Sequence, residues 1–176
     1  EGESAATQLN KMYGTKVASF EADITQQDQT IEMVKSAIDA FGKIDILINS
    51  AGINIRGAID EVSPEDFQKV MNVNVNGTWL CNRAVTPHMK KNKSGRIINL
   101  ASTLGLIGLA NRTPYTSSKG AVVQMTRALA LELAPFNIMV NAICPGPFLT
   151  DMNLPIAETE EGKKLVVGAT ALGRWA

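Results

Sequence analysis

Three residues of this 176-residue chain could move a proton together: Ser102, Tyr115 and Lys119. Tyr115 and Lys119 are four apart, the spacing that stacks two side chains on one helix face, a turn from each other. A free tyrosine has a pKa near ~10 and stays protonated at neutral pH. An ammonium held a few ångström away favours the phenolate and lowers that value. Lowering it by ~3 units would take ~4 kcal/mol of differential interaction. Such a phenol could exchange a proton with an alcohol or carbonyl oxygen while Ser102 hydrogen-bonds the same oxygen. Alone, Tyr-x-x-x-Lys fits a surface tyrosine and a solvated lysine equally well.

The elements around the trio say how it could be assembled. Arg96–Ala101 is an apolar run that reads as a buried strand, and Ser102 stands at its end. Gly120–Ala134 is rich in helix formers and predicts a long helix, with Tyr115 and Lys119 at its start. Upstream, Glu1–Tyr13 reads as the end of a polar helix stopped by Gly14, and Lys16–Ala22 as a short strand ending in Asp23. A helix is expected from about Asp28 to Phe41, with Ile31, Val34, Ile38 and Phe41 at helical spacing and Gly42 as its terminator. Ile44–Ile48 is a second apolar strand, running into Asn49-Ser50-Ala51-Gly52. Ser63-Pro64-Glu65-Asp66 resembles a capping box and opens a helical region reaching about Asn92. Met139–Ile143 is a further strand, followed by the turn Cys144-Pro145-Gly146-Pro147 and a short helix near Glu158–Val167.

Strands alternate with helices, and the strands are apolar runs without period-two alternation. That pattern predicts one α/β domain over residues 1–176, with a parallel sheet covered on both faces. Each strand ends in polar, Gly or Pro residues, at the sheet edge where ligands of such folds bind.

Composition excludes several other classes. Formal charge is zero, so nothing suggests nucleic acid or an anionic membrane surface. No apolar run approaches membrane-spanning length, and the expected location is cytoplasmic. Cys81 and Cys144 are far apart and read as packing residues, and with His88 the single histidine no metal site is expected. His88, after Pro87, reads as a surface residue.

Ser102, Tyr115 thirteen positions on, and Lys119 resemble the active-site signature of the short-chain dehydrogenase/reductase family. The resemblance implies a Rossmann-like doubly wound parallel sheet and hydride transfer between NAD or NADP and an alcohol/carbonyl pair. Tyr115 would then be the general acid/base, Lys119 would lower its pKa and hold the nicotinamide ribose, and Ser102 would orient the substrate oxygen. Asn49-Ser50-Ala51-Gly52 resembles the family's Asn-Asn-Ala-Gly, which implies that Asn49, Ala51 and Gly52 support the sheet and line the adenosine side of the cofactor. Ser50 departs from that pattern.

Met71 to Gly77 carries three asparagines in a helical region, where they can hydrogen-bond locally and distort the helix. Asn74-Val75-Asn76-Gly77 resembles the family's Asn-Val-x-Gly, which implies that Asn74 completes a tetrad and holds a proton-relaying water. Pro145, Gly146, Phe148 and Thr150 match the turn that flanks the nicotinamide. Asp23, followed by Ile24, fits either the residue that meets the adenine ring or a plain helix N-cap.

The family's opening strand, glycine-rich phosphate loop and second strand have no counterpart in this sequence, nor does its last strand. An incomplete domain is therefore expected, in which Lys16–Ala22 lacks a strand partner and the chain alone is marginally folded and inactive. Cofactor preference is not readable. Ala51 to Arg56 resembles gluconate 5-dehydrogenase-type members, and the overall pattern also resembles 3-oxoacyl-thioester reductases. The resemblance further implies a small alcohol or ketone substrate and a homo-oligomer, a tetramer or dimer, with Val122, Val123, Met125, Thr126, Leu129 and Leu133 serving either a subunit interface or the internal core. The competing class is a non-catalytic fragment or pseudo-enzyme that acts only by protein interaction.

Overall fold

The computed structural model describes residues 2–150, 153–164 and 170–175. Its centre is a parallel sheet of three strands among the described residues: β1 (Ile46–Asn49), β2 (Gly95–Leu100) and β3 (Ile138–Ile143), in the order β1-β2-β3. The register forms rows across the sheet. Leu47, Ile97 and Val140 make one row, and Asn49, Asn99 and Ala142 another, both on the same face. Ile46, Arg96 and Met139 form a row on the opposite face, as do Ile48, Ile98 and Asn141.

Among the described residues there are five longer helices: α1 (Gly2–Tyr13), α2 (Gln27–Phe41), α3 (Pro64–Met71), α4 (Thr78–Asn92) and α5 (Thr113–Leu133). Local sequence explains most of their ends. Gly14 and Gly42 follow α1 and α2 at positive φ, where glycine has no Cβ penalty. The Ser63 hydroxyl accepts from Asp66 N at 3.0 Å, and Pro64 opens α3. α3 and α4 are joined by a π-helical stretch, Asn72–Gly77, which is the distortion its asparagines foreshadowed.

The main core lies between one sheet face and the helices. Val34 of α2, Val85 and Met89 of α4, Leu133 of α5 and the strand residues Ile97, Ile138 and Val140 pack there. Four expectations need correction. Lys16–Ala22 is not a strand: its Val17 N–H and C=O are taken by the Asn10 side chain of α1, and it pairs with no strand among the described residues. The sheet is covered on one face only among the described residues, since α2, α4 and α5 all pack on the same side. Ile46 and Ile48 are each 58% exposed, Met139 49% and Ile143 50%. Ile31 and Phe41 are also exposed, and Thr30 and Val34 make the buried stripe of α2.

The fourth correction concerns His88. Its Nε2 accepts from Ile44 N at 3.2 Å and lies 2.9 Å from Asn92 Nδ2, so it ties α4 to the entry of β1. Two donors on Nε2 leave the ring proton to Nδ1. Of the candidate interface residues, Val122, Val123, Thr126 and Leu133 are buried within this chain, which assigns them to the core. Cys81 is buried, and burial pushes its thiol pKa up, as suits a packing residue. The C-terminal helical pieces are Leu154–Ala157 and Glu160–Gly162, the latter continued helically through Lys164, and residues 165–167 of the expected stretch lie outside the described residues.

Candidate active site

β2 ends at Leu100, and Ser102 follows in extended backbone with its hydroxyl capping a short turn, Thr103–Gly105, through Leu104 N at 3.1 Å. That turn lies directly on α5. A Cβ at Gly105 would sit 2.7 Å from the Lys119 carbonyl, so only glycine lets the two backbones approach this closely. The approach sets Ser102 beside Tyr115, where its hydroxyl favours the phenolate. Lys119 Nζ donates to Leu100 O at 2.6 Å and lies 5.7 Å from the centre of the Tyr115 ring.

Asn74 reaches the same place from the π-helical stretch. Its Oδ1 accepts from Ile53 N at 2.8 Å, and its Nδ2 donates to Ile53 O and to Ser118 Oγ, both at 2.9 Å. Asn74 has no solvent exposure, whereas Asn72 and Asn76 are exposed. Gly52 borders this group, because a Cβ there would lie 3.3 Å from Asn74 Oδ1 and 3.5 Å from Lys119 Nζ. Ser102, Tyr115, Lys119, Asn74 and Gly52 therefore gather at the carboxyl ends of β1 and β2.

The electrostatics differ from expectation. Burial raises the Tyr115 pKa above the ordinary phenol value, and the hydrogen bond from Ser102 only partly opposes it. Burial also lowers the Lys119 pKa. The amine is held by the Leu100 carbonyl rather than by the phenol oxygen, so desolvation outweighs the expected help to the phenolate. Both shifts run toward the uncharged forms, opposite for the phenol to what the spacing alone implied.

The remaining candidates occupy three places. Asn49 Nδ2 donates to Asn82 Oδ1 and Asn99 Oδ1, both at 2.8 Å, and Asn99 Nδ2 donates to Thr126 Oγ1 at 3.0 Å. Asn49 thus belongs to a buried amide network that pins β1 to β2, α4 and α5. Ala51 is exposed beside it. Pro145 O accepts from Thr103 N at 3.0 Å, which holds the 145–150 turn against the Ser102 turn, while Gly146, Phe148 and Thr150 are exposed at its rim. Asn153 Nδ2 donates to Phe148 O at 2.9 Å, and Arg56 donates to Asn153 Oδ1 at 3.2 Å, so the loops after β1 and β3 meet across the mouth.

Asp23 stands apart from the tetrad. It lines a groove of about 750 Å³ with Thr25, Pro64, Gln68, Asn72 and Val73. Its carboxylate accepts from Thr25 N at 2.9 Å and Thr25 Oγ1 at 2.8 Å, and the Thr25 backbone bond lowers its pKa. The N-cap of α2 is Gln26, so Asp23 braces the preceding turn and is not the cap. Ile24 packs where a Cβ on Gly77 would lie. Ser118, Asn82 and Asn99 had no role in the sequence reading, and Thr126 was expected at an interface or in the core rather than as a hydrogen-bond partner of Asn99. Asn99, a lone amide within the apolar run Arg96–Ala101, was the one visible signal.

Among the described residues no group of His, Cys, Asp and Glu is arranged to hold a metal ion, and no helix is long and apolar enough to cross a membrane. The family model described as short chain dehydrogenase matches residues 1–161. The chain is 49% identical over 139 residues to (2S)-[(R)-hydroxy(phenyl)methyl]succinyl-CoA dehydrogenase subunit BbsD of Thauera aromatica, a match covering 79% of this chain and 56% of that protein. The chain therefore spans little more than half the length of this curated relative. A gluconate 5-dehydrogenase from Burkholderia cenocepacia in complex with NADP and tartrate superposes with a TM-score of 0.91 at 29% identity, covering 100% of this chain and 70% of the other. An NAD+-bound xylitol dehydrogenase gives a TM-score of 0.91 at 30% identity, covering 99% and 73% respectively.

Proposed function

The chain belongs to the short chain dehydrogenase family, and from that premise we propose an NAD- or NADP-dependent oxidoreductase acting on an alcohol/carbonyl pair. The observation that carries this reading is the meeting of Ser102, Tyr115, Lys119 and Asn74 at the carboxyl edge of the sheet. The residues present fit one end of a dinucleotide well. Gly146 has open space where a Cβ would be, and Gly52 keeps the floor beside Lys119 low. When bound, a nicotinamide would supply or accept the hydride.

The work left to this chain is proton handling and orientation. Tyr115, a phenol in its resting state, suits donation to a carbonyl oxygen, and acts as a base once deprotonated. Ser102 hydrogen-bonds the same oxygen and keeps the phenol aimed. Lys119, released from Leu100 O, would meet a ribose hydroxyl and favour the phenolate, and Asn74 would hold a relaying water beside it. Pro145, Gly146, Phe148 and Thr150 would flank the carboxamide, with Asn49, Ala51, Gly52, Asp23 and Ile24 toward the adenosine. No glycine-rich loop in this sequence offers to take the pyrophosphate.

The relatives set the first substrate panel: a 3-hydroxyacyl-CoA thioester, gluconate and a sugar alcohol. We place the protein in the cytoplasm as a homo-oligomer, a tetramer or dimer. The test is nicotinamide absorbance during turnover of that panel by the protein as its gene encodes it, beside Tyr115→Phe. Loss of ~10²-fold or more in kcat with cofactor binding retained is expected. Equal turnover by the variant would overturn the reading. A second reading, a non-catalytic protein acting through interactions, draws on the exposed apolar sheet face, and failure to bind either nicotinamide cofactor would favour it.

A further inference from the structure

Ser118 lies between Tyr115 and Lys119 in sequence, has no solvent exposure, and has no part in the proton chemistry proposed above. Its hydroxyl has a single proton, which goes to Tyr115 O at 2.8 Å. That leaves an oxygen lone pair facing Asn74, and Asn74 Nδ2 fills it at 2.9 Å. The other amide hydrogen goes to Ile53 O, and Oδ1 takes Ile53 N–H. Turning the amide over would set Oδ1 against the serine oxygen and Nδ2 against the Ile53 N–H. The serine and the Ile53 backbone therefore fix together which way the Asn74 amide faces, and the serine is the partner that ties it to α5.

We propose that Ser118 is a positioning residue that locks the Asn74 amide, and through it the Ile53 turn, to the helical turn carrying Tyr115. Three separate pieces of chain meet in this lock: α5, the π-helical stretch and the loop after β1. Gly52, one residue before Ile53, borders both Asn74 Oδ1 and Lys119 Nζ, so a loosened lock would be felt at the amine. The proposal deepens the oxidoreductase reading and rests on it for its kinetic consequence, although the lock itself does not.

The test compares Ser118→Ala, Asn74→Ala and the double variant, using the protein as its gene encodes it. Ser118→Ala should lower kcat by up to ~10²-fold, the scale of a small misplacement at a reacting centre, with KM little changed. In the Asn74→Ala background it should add nothing further. Hydrogen exchange at the Ile53 amide should speed up in Ser118→Ala while core amides of β2 keep their protection. Ser118→Cys, close in volume with a weaker acceptor, should show the intermediate effect and serves if the alanine variant does not fold. Additive losses, or unchanged exchange at Ile53, would overturn the proposal. If the wild type oxidises and reduces nothing, the oxidoreductase reading falls and the Ile53 comparison alone decides the lock.

Discussion

The two faces of the sheet are built from the same three strands and have opposite environments. On the covered face, Ile97 and Val140 are buried under α2, α4 and α5, and the neighbouring row holds Asn49 and Asn99. On the open face, Ile46, Ile48, Met139 and Ile143 are half exposed or more. Composition alone would not separate them, since both are mostly apolar. What differs is where the partnered amides lie: Asn49 and Asn99 stand on the covered face with their hydrogen bonds made, whereas the open face sets Ile46, Ile48 and Ile98 beside Arg96 and Asn141. Burial of a polar group is tolerable only with its hydrogen bonds made, and here they are made toward the site.

The largest expected effect lies at the centre of the covered face. Ile97→Ala should cost about 2–5 kcal/mol in chemical denaturation, because Ile97 has no exposure and rigid neighbours. Next comes Asn99→Val, which leaves the Asn49 amide short of an acceptor and Thr126 without its donor, at a cost of about 1–3 kcal/mol. Gly105→Ala forces the Ser102 turn off α5 and should cost a similar ~1–3 kcal/mol, with a larger loss of activity than of stability.

A smaller effect is read by titration. The sequence has two tyrosines, Tyr13 exposed and Tyr115 half-buried. In a Tyr13→Phe background, near-ultraviolet absorbance of the cofactor-free protein should show Tyr115 ionising above the usual phenol range. The sign follows from the raised value: the folded state holds this proton more tightly, so its stabilising contribution is intact below the unfolded phenol pKa and is lost as pH rises through the folded one. Ionisation below the ordinary range would show the lysine, not burial, in control. Smallest is Ile48→Ser on the open face, expected within about 0.5 kcal/mol. A cost matching that of Ile97→Ala would mean that this face is covered in solution and would erase the contrast.

Much of this was legible in the sequence because it depends on local spacing. Four-residue spacing put Tyr115 and Lys119 on one face of α5, and apolar runs located β1, β2 and β3 within two residues. Three asparagines at alternate positions announced the distortion at Asn72–Gly77. What stayed hidden depends on partners distant in the chain. Lys16–Ala22 has strand-like composition but no strand beside it. His88 reads as surface until the entry to β1 lies against it. Ser118 is one serine among several until Asn74 is seen on its hydroxyl. The direction of the Tyr115 shift was misjudged for the same reason, since spacing reports a neighbour but not the depth at which both are buried.

The amide row has a consequence for how the chain finds its own alignment. Strands that are apolar on both sides carry little information about pairing, since a slip by one residue exchanges one greasy face for another. Asn49 and Asn99 stand 50 residues apart in the chain and must arrive opposite each other, with Thr126 above, to satisfy their amides. Any other alignment of β1 on β2 would bury those groups unpaired or set them against isoleucine. The asparagines act as an address. Hydrophobicity brings the strands together, and two amides tell them where to stop.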